Sequence, residues 1–136
     1  KESNLELFVY VLIGSGGKAL SNRHISDTVA LLNEIRPNTV ECHTLVLIPG
    51  TPLNKMAESG KFTPLSPRET LVEIKDLVKG VDIPININAA HISNYCHIAG
   101  HLPEDRDRLL QELDYAMTLD EERFENANII NISLPG

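Results

Sequence analysis

Apolar runs that end in short turn-forming loops and give way to helical periodicity recur three times along the chain. Leu5 to Ile13 is nearly continuously apolar, as a strand covered on both faces would be. It runs into Gly14-Ser15-Gly16-Gly17, after which Ile25, Val29, Leu32 and Ile35 recur at helical spacing until Pro37 stops the helix. A second strand is predicted from Val40 to Ile48, alternating in its first half and fully apolar in its second. Pro49-Gly50-Thr51-Pro52 ends it, a short helix is predicted around Asn54 to Ser59, and Gly60 and Pro64 break the stretch after that helix. Ser66-Pro67-Arg68-Glu69 then reads as a capping box, with Leu71, Ile74 and Val78 as the buried stripe of a helix that Gly80 ends. The third strand spans Ile83 to Ala90, with Ile83, Ile85 and Ile87 on one face and Asn86 and Asn88 on the other; Pro84 belongs at its beginning or on an edge. A loop from His91 to His101 comes next, then a helix opening at Pro103 with Leu109, Leu113, Ala116 and Met117 as its apolar stripe. Residues 1–118 form the organised part. Residues 119–136 read as a C-terminal extension in which Asn126 to Pro135 adds an edge strand.

Three strand-loop-helix units in series predict a parallel α/β sheet or barrel, and such folds place their chemistry where strands hand over to loops. The chain's 136 residues make one domain, yet a complete barrel takes roughly 200 or more. The three units are therefore one domain or part of one.

Charge narrows the partners. A net charge of -7 cannot supply the positive field that phosphate backbones require, so nucleic acid is not expected as a partner. No apolar run reaches the roughly 18 residues of a membrane span, and Lys1-Glu2-Ser3-Asn4 does not open a signal peptide, so a soluble, cytoplasmic protein without a membrane partner is expected. Cys42 and Cys96 stand apart and read as two reduced thiols rather than a disulfide or zinc scaffold.

The candidate chemistry sits in the loops. Gly14, Ser15, Gly16 and Gly17 form either a tight turn or a loop whose backbone approaches an anion or cofactor; they do not make the G-x-G-x-x-G dinucleotide fingerprint. Pro49, Gly50 and Thr51 form a rigid turn. His91, Cys96, His97 and His101 crowd together, and His97-x3-His101 has the spacing of half a zinc site, although no partner pair is present and no metal is expected. That loop reads as substrate-facing, cofactor-facing or plain surface, with Tyr95 offering a stacking face. Glu41 and His43 share one face of the second strand, as an acid-base pair or a structural one.

In order, YVLIGSGGKALSNRH, LNEIRPNTVECHTLVLIPGTPL and SNYCHIAGHLPEDRDRLLQELD resemble the C-terminal half of radical S-adenosylmethionine iron-sulfur oxidoreductases related to oxygen-independent coproporphyrinogen oxidases, over roughly residues 5 to 117. The resemblance implies half of a partial (β/α)6 barrel of TIM type. It assigns Gly14, Ser15, Gly16, Gly17, Pro49, Gly50 and Thr51 to cofactor-facing loops, and His91, Ser93, Asn94 and Tyr95 to the substrate. S-adenosylmethionine and a 4Fe-4S cluster would belong to a longer parent. This chain has no CxxxCxxC motif, so neither group is expected on it and it is expected to be inactive alone. Glu41 and His43 stand where basic residues are expected in such proteins. The missing N-terminal half and a small-molecule substrate are the implied partners, and the open edges of half a barrel predict self-association. The alternative from the residues alone is a non-catalytic α/β module that binds a ligand or a metal.

Overall fold

A computed structural model describes residues 5–119. Its elements run β1 (Phe8–Ile13), α1 (Gly17–Ile35), β2 (Thr39–Thr44), α2 (Pro52–Glu58), α3 (Pro67–Gly80), β3 (Ile85–Ala89), β4 (Ile98–Leu102) and α4 (Arg106–Met117). The extension from residue 120 onward, including its expected edge strand, lies outside the described residues.

The strands form one open sheet in the order β1-β2-β3-β4, with β1, β2 and β3 parallel and β4 antiparallel to β3. The α/β class and the three parallel strands match the sequence pattern. Two expectations are corrected. The segment from His91 to His101 is not all loop, because Ile98 to Leu102 folds back along β3 as β4, so the third strand does not lead directly into its helix. The second strand ends at Thr44 rather than Ile48. Leu45 N still donates to Ile13 O at 2.8 Å, but β1 then turns away at Gly14 and among the described residues no strand continues the ladder.

Helices α1, α3 and α4 share one core with one face of the sheet, where Val11, Ile13, Val40, Cys42, Ile85, Ile87, Ile98 and Leu102 are buried. The capping box forms as its residues dictate: Ser66 Oγ accepts Glu69 N and Glu69 Oε1 accepts Ser66 N. Where α1 meets α3, a Cβ on Gly80 would lie 2.9 Å from Val29, so the helices approach through the missing side chain. Among the described residues no helix lies over the opposite face of the sheet, and Phe8, Tyr10, Asn86 and Asn88 are exposed there. Tyr10, Glu41 and Asn88 align across this face, and its next row carries Leu12 beside His43. Among the described residues no helix is long and apolar enough to cross a membrane.

Candidate functional site

The loops after β1, β2 and β3 meet at one rim. Gly14, with φ of 85°, turns the chain beside Leu45 and Leu65, which lie 3.8 and 3.9 Å from where its Cβ would be. Leu45 and Leu65, with Val46, Leu47, Pro64 and residues 91–93 and 95, line a cleft of about 530 Å³. That volume suits a small organic ligand, and the walls combine aliphatic surface with a few polar groups.

Asn94 stands behind the cleft without lining it. Its side chain is fully buried; Nδ2 donates to Cys42 O at 2.7 Å and Ala89 O at 2.8 Å, while Oδ1 accepts Thr44 Oγ1 at 2.8 Å. One amide thus joins the ends of β2 and β3 where they separate. It also fixes its neighbours. Ser93 N donates to His91 Nδ1 at 3.1 Å, so that nitrogen carries no proton, and the Ser93 hydroxyl donates to it at 2.8 Å. Ser93 Oγ in turn accepts Thr44 N at 3.0 Å. The imidazole proton of His91 is therefore on Nε2, available as a donor.

His91 stacks on His43, with centroids 3.8 Å apart and planes 12° from parallel, and Tyr10 meets His43 edge-on at 5.5 Å. Glu41 Oε2 lies 3.6 Å from His43 Nε2, so the two residues the alternation placed on one face do meet. The row Tyr10, His43, His91 leads from the β1 edge across the bare face to the cleft.

The other candidates fall elsewhere. In the glycine loop four amides are already engaged: Gly14 N to Glu73 Oε1 at 2.9 Å, Ser15 N to Leu12 O, Gly17 N to Gly14 O and Lys18 N to Thr63 O. Gly17, with φ of 62°, packs so closely that a Cβ would lie 2.8 Å from Thr63 O. Gly16 and Gly17 border a separate depression with Gly60 to Thr63. Pro49, Gly50 and Thr51 lie off the cleft lining; Thr51 caps α2, accepting Asn54 N at 3.3 Å. His101 Nδ1 donates to Asn86 Oδ1 at 2.7 Å, and the buried His97 Nε2 has no hydrogen-bond partner among the described residues. No group of three or more His, Cys, Asp or Glu among the described residues is placed to hold a metal. Burial pushes the Cys42 thiol up to about 12, with Glu41 adding to it, and burial beside Glu112 does the same for Cys96.

Glu73 is the residue that the sequence reading passed over. It is 2% exposed on α3, and its second oxygen accepts Ser21 Oγ at 2.5 Å. Its signal was a carboxylate between Leu71, Ile74 and Leu77, on a stripe that should be apolar. No protein-family model, curated protein or solved structure matches the chain.

Proposed function

We propose that the chain is the C-terminal wall of a radical S-adenosylmethionine enzyme, half of a partial (β/α)6 barrel whose N-terminal half belongs to the same parent polypeptide. One observation supports this reading above the others. Three parallel strands deliver their loops to one rim, the helices pack over one face of the sheet, and among the described residues the other face is bare. In a barrel the helices ring the outside, the bare face is the inner wall, and the rim is where the chemistry sits.

The residues divide on the two groups this reading implies. They do not fit an iron-sulfur cluster: both thiols are buried and held protonated, and no ligand group converges among the described residues. The cluster belongs to the other half. The cleft does fit a nucleoside-sized ligand, with Leu45, Leu47 and Ile92 as apolar walls, Tyr95 as a ring, and His91 Nε2–H as a donor. S-adenosylmethionine, when bound, supplies the 5'-deoxyadenosyl group for hydrogen abstraction from a small-molecule substrate. This chain's part is to bind, orient and exclude water. His91, Ser93 and Tyr95 line the cleft directly, Asn94 holds them from behind, and Gly14 to Gly17 and Pro49 to Thr51 form the turns beside it. The enzyme is cytoplasmic, and the isolated chain is inactive.

The protein encoded by the whole reading frame around residues 1–136, purified without oxygen, tests this. It should carry about four iron atoms per chain and form 5'-deoxyadenosine on reduction, while the 136-residue chain forms none. A reading frame without CxxxCxxC, or a whole-frame protein that forms no 5'-deoxyadenosine, overturns the proposal in favour of a non-catalytic ligand-binding module built on the same cleft.

A further inference from the structure

We propose that the free edge of β1 pairs with the β1 edge of a second copy of this chain, antiparallel about Tyr10, joining two sheets into one. The two edges of the sheet are guarded very differently. On β4, the outward amide of His101 donates to Asp105 Oδ2 at 2.8 Å, and the outward carbonyl of Ala99 accepts from Arg108 Nη2 at 3.0 Å. Arg108 and Asp105 form an ion pair at 3.5 Å. Both backbone groups are closed by charged side chains, the usual protection against a further strand.

Among the described residues the β1 edge is guarded at its Leu12 end alone. Leu7 O and Ile13 O accept amides from the β2 side, so by the alternation of the ladder the N–H and C=O groups of Phe8, Tyr10 and Leu12 point away from it. The Leu12 carbonyl is taken by Ser15 N at 3.3 Å and His24 Nε2 at 3.1 Å. At Phe8 and Tyr10 no side chain among the described residues closes the edge. The strand itself, FVYVLI, carries neither charge nor proline. Its face is correspondingly apolar and open: Phe8 is 50% exposed, Tyr10 67% and Leu12 44%.

A second copy suits this edge because the edge is complementary to itself. With Tyr10 on the two-fold axis, Phe8 faces Leu12, Val9 faces Val11 and Leu7 faces Ile13, so apolar meets apolar. Glu6 faces Gly14, and no charge opposes its like. Tyr10 exchanges both backbone bonds with its mate, and the Leu12 amide reaches the Phe8 carbonyl. Phe8, Tyr10 and Leu12 stand on the sheet's open face, so the pairing covers the edge backbone and the flanks of these side chains. This pairing is a property of the 136-residue chain and stands on its edge alone, whatever the outcome of the iron assay.

Sedimentation equilibrium of the chain over a concentration series is expected to show a monomer–dimer equilibrium. Tyr10→Lys puts two cations across the axis and is expected to return the monomer with an unchanged circular dichroism spectrum. In Tyr10→Cys the paired Cα atoms sit about 5.5 Å apart, within disulfide reach, so mild oxidation should give a covalent dimer. That variant decides the question if the lysine variant fails to fold. A chain that is monomeric throughout, a Tyr10→Lys variant that folds and stays dimeric, or a Tyr10→Cys variant that does not cross-link overturns the pairing.

Discussion

Glu73 Oε1 accepts the amide of Gly14 at 2.9 Å across 59 positions of sequence, fastening the turn after β1 to the middle of α3. The same carboxylate takes the Ser21 hydroxyl, so one buried side chain holds the start of α1, the glycine turn and α3 together. An acceptor from within the protein fills the place at Gly14 that a phosphate-binding reading would reserve for an anion.

Replacing Glu73 therefore has a definite cost. Glu73→Ala leaves two donors without an acceptor and is expected to destabilise the fold by about 2–4 kcal/mol, with Glu73→Gln falling between it and the native chain. Urea midpoints of the three proteins check this. Equal midpoints would mean that the turn stands without the clamp.

Asn94 carries the rim in the same manner. Asn94→Ala strands two carbonyls and the Thr44 hydroxyl and is expected to destabilise by about 2–3 kcal/mol. Asn94→Asp sets a carboxylate against Cys42 O and Ala89 O and should be no better tolerated than alanine. A denaturation midpoint for Asn94→Asp equal to the native one would show that these bonds do not hold the loop.

Both thiols are buried and raised to about 12. Near neutral pH both therefore stay in the unreactive thiol form. A chromogenic disulfide reagent should leave Cys42 and Cys96 untouched in the native protein and titrate both in denaturant. Rapid native reaction of either would contradict the burial.

Acid should loosen the helix starts and the β4 edge. The Ser66 amide, its hydroxyl and Lys18 hold Glu69 below its ordinary 4.5, and the His101 amide and Arg108 hold Asp105 below 3.8. Both shifts are downward, so their stabilisation is complete above those ordinary values and is lost as pH falls through the lower folded ones. Thermal midpoints should therefore drop below pH 4.5, with a shallower drop in Asp105→Asn. An identical pH profile for that variant would show that Asp105 plays no part in the acid response.

Period and capping made most of the fold legible. The stripe Leu71, Ile74 and Val78 and the Ser66 to Glu69 capping box appear where the chain announced them. β4 was hidden because Ile98-Ala99-Gly100-His101-Leu102 mixes a glycine and a histidine with few strand-forming residues, and its pairing to β3 is a tertiary fact. The end of β2 was hidden for a related reason: Leu45 to Ile48 has strand composition, but no neighbour extends beside it. At the site, the short spacing of His91, Ser93 and Asn94 made that loop legible as a unit. The stacking of His91 on His43 was not, because it depends on how β2 and β3 end together. The glycines announced a turn correctly, whereas the carboxylate that takes the Gly14 amide lies 59 residues away.

The rim cleft as the working site is tested most directly by bulk placed in it. Ile92 lines the cleft and is 67% exposed, so Ile92→Trp fills space without removing any side-chain hydrogen bond of the rim. In the whole-frame protein this variant is expected to keep its iron content while 5'-deoxyadenosine formation falls at least about tenfold. An Ile92→Trp protein that forms 5'-deoxyadenosine at the native rate would contradict the cleft's role.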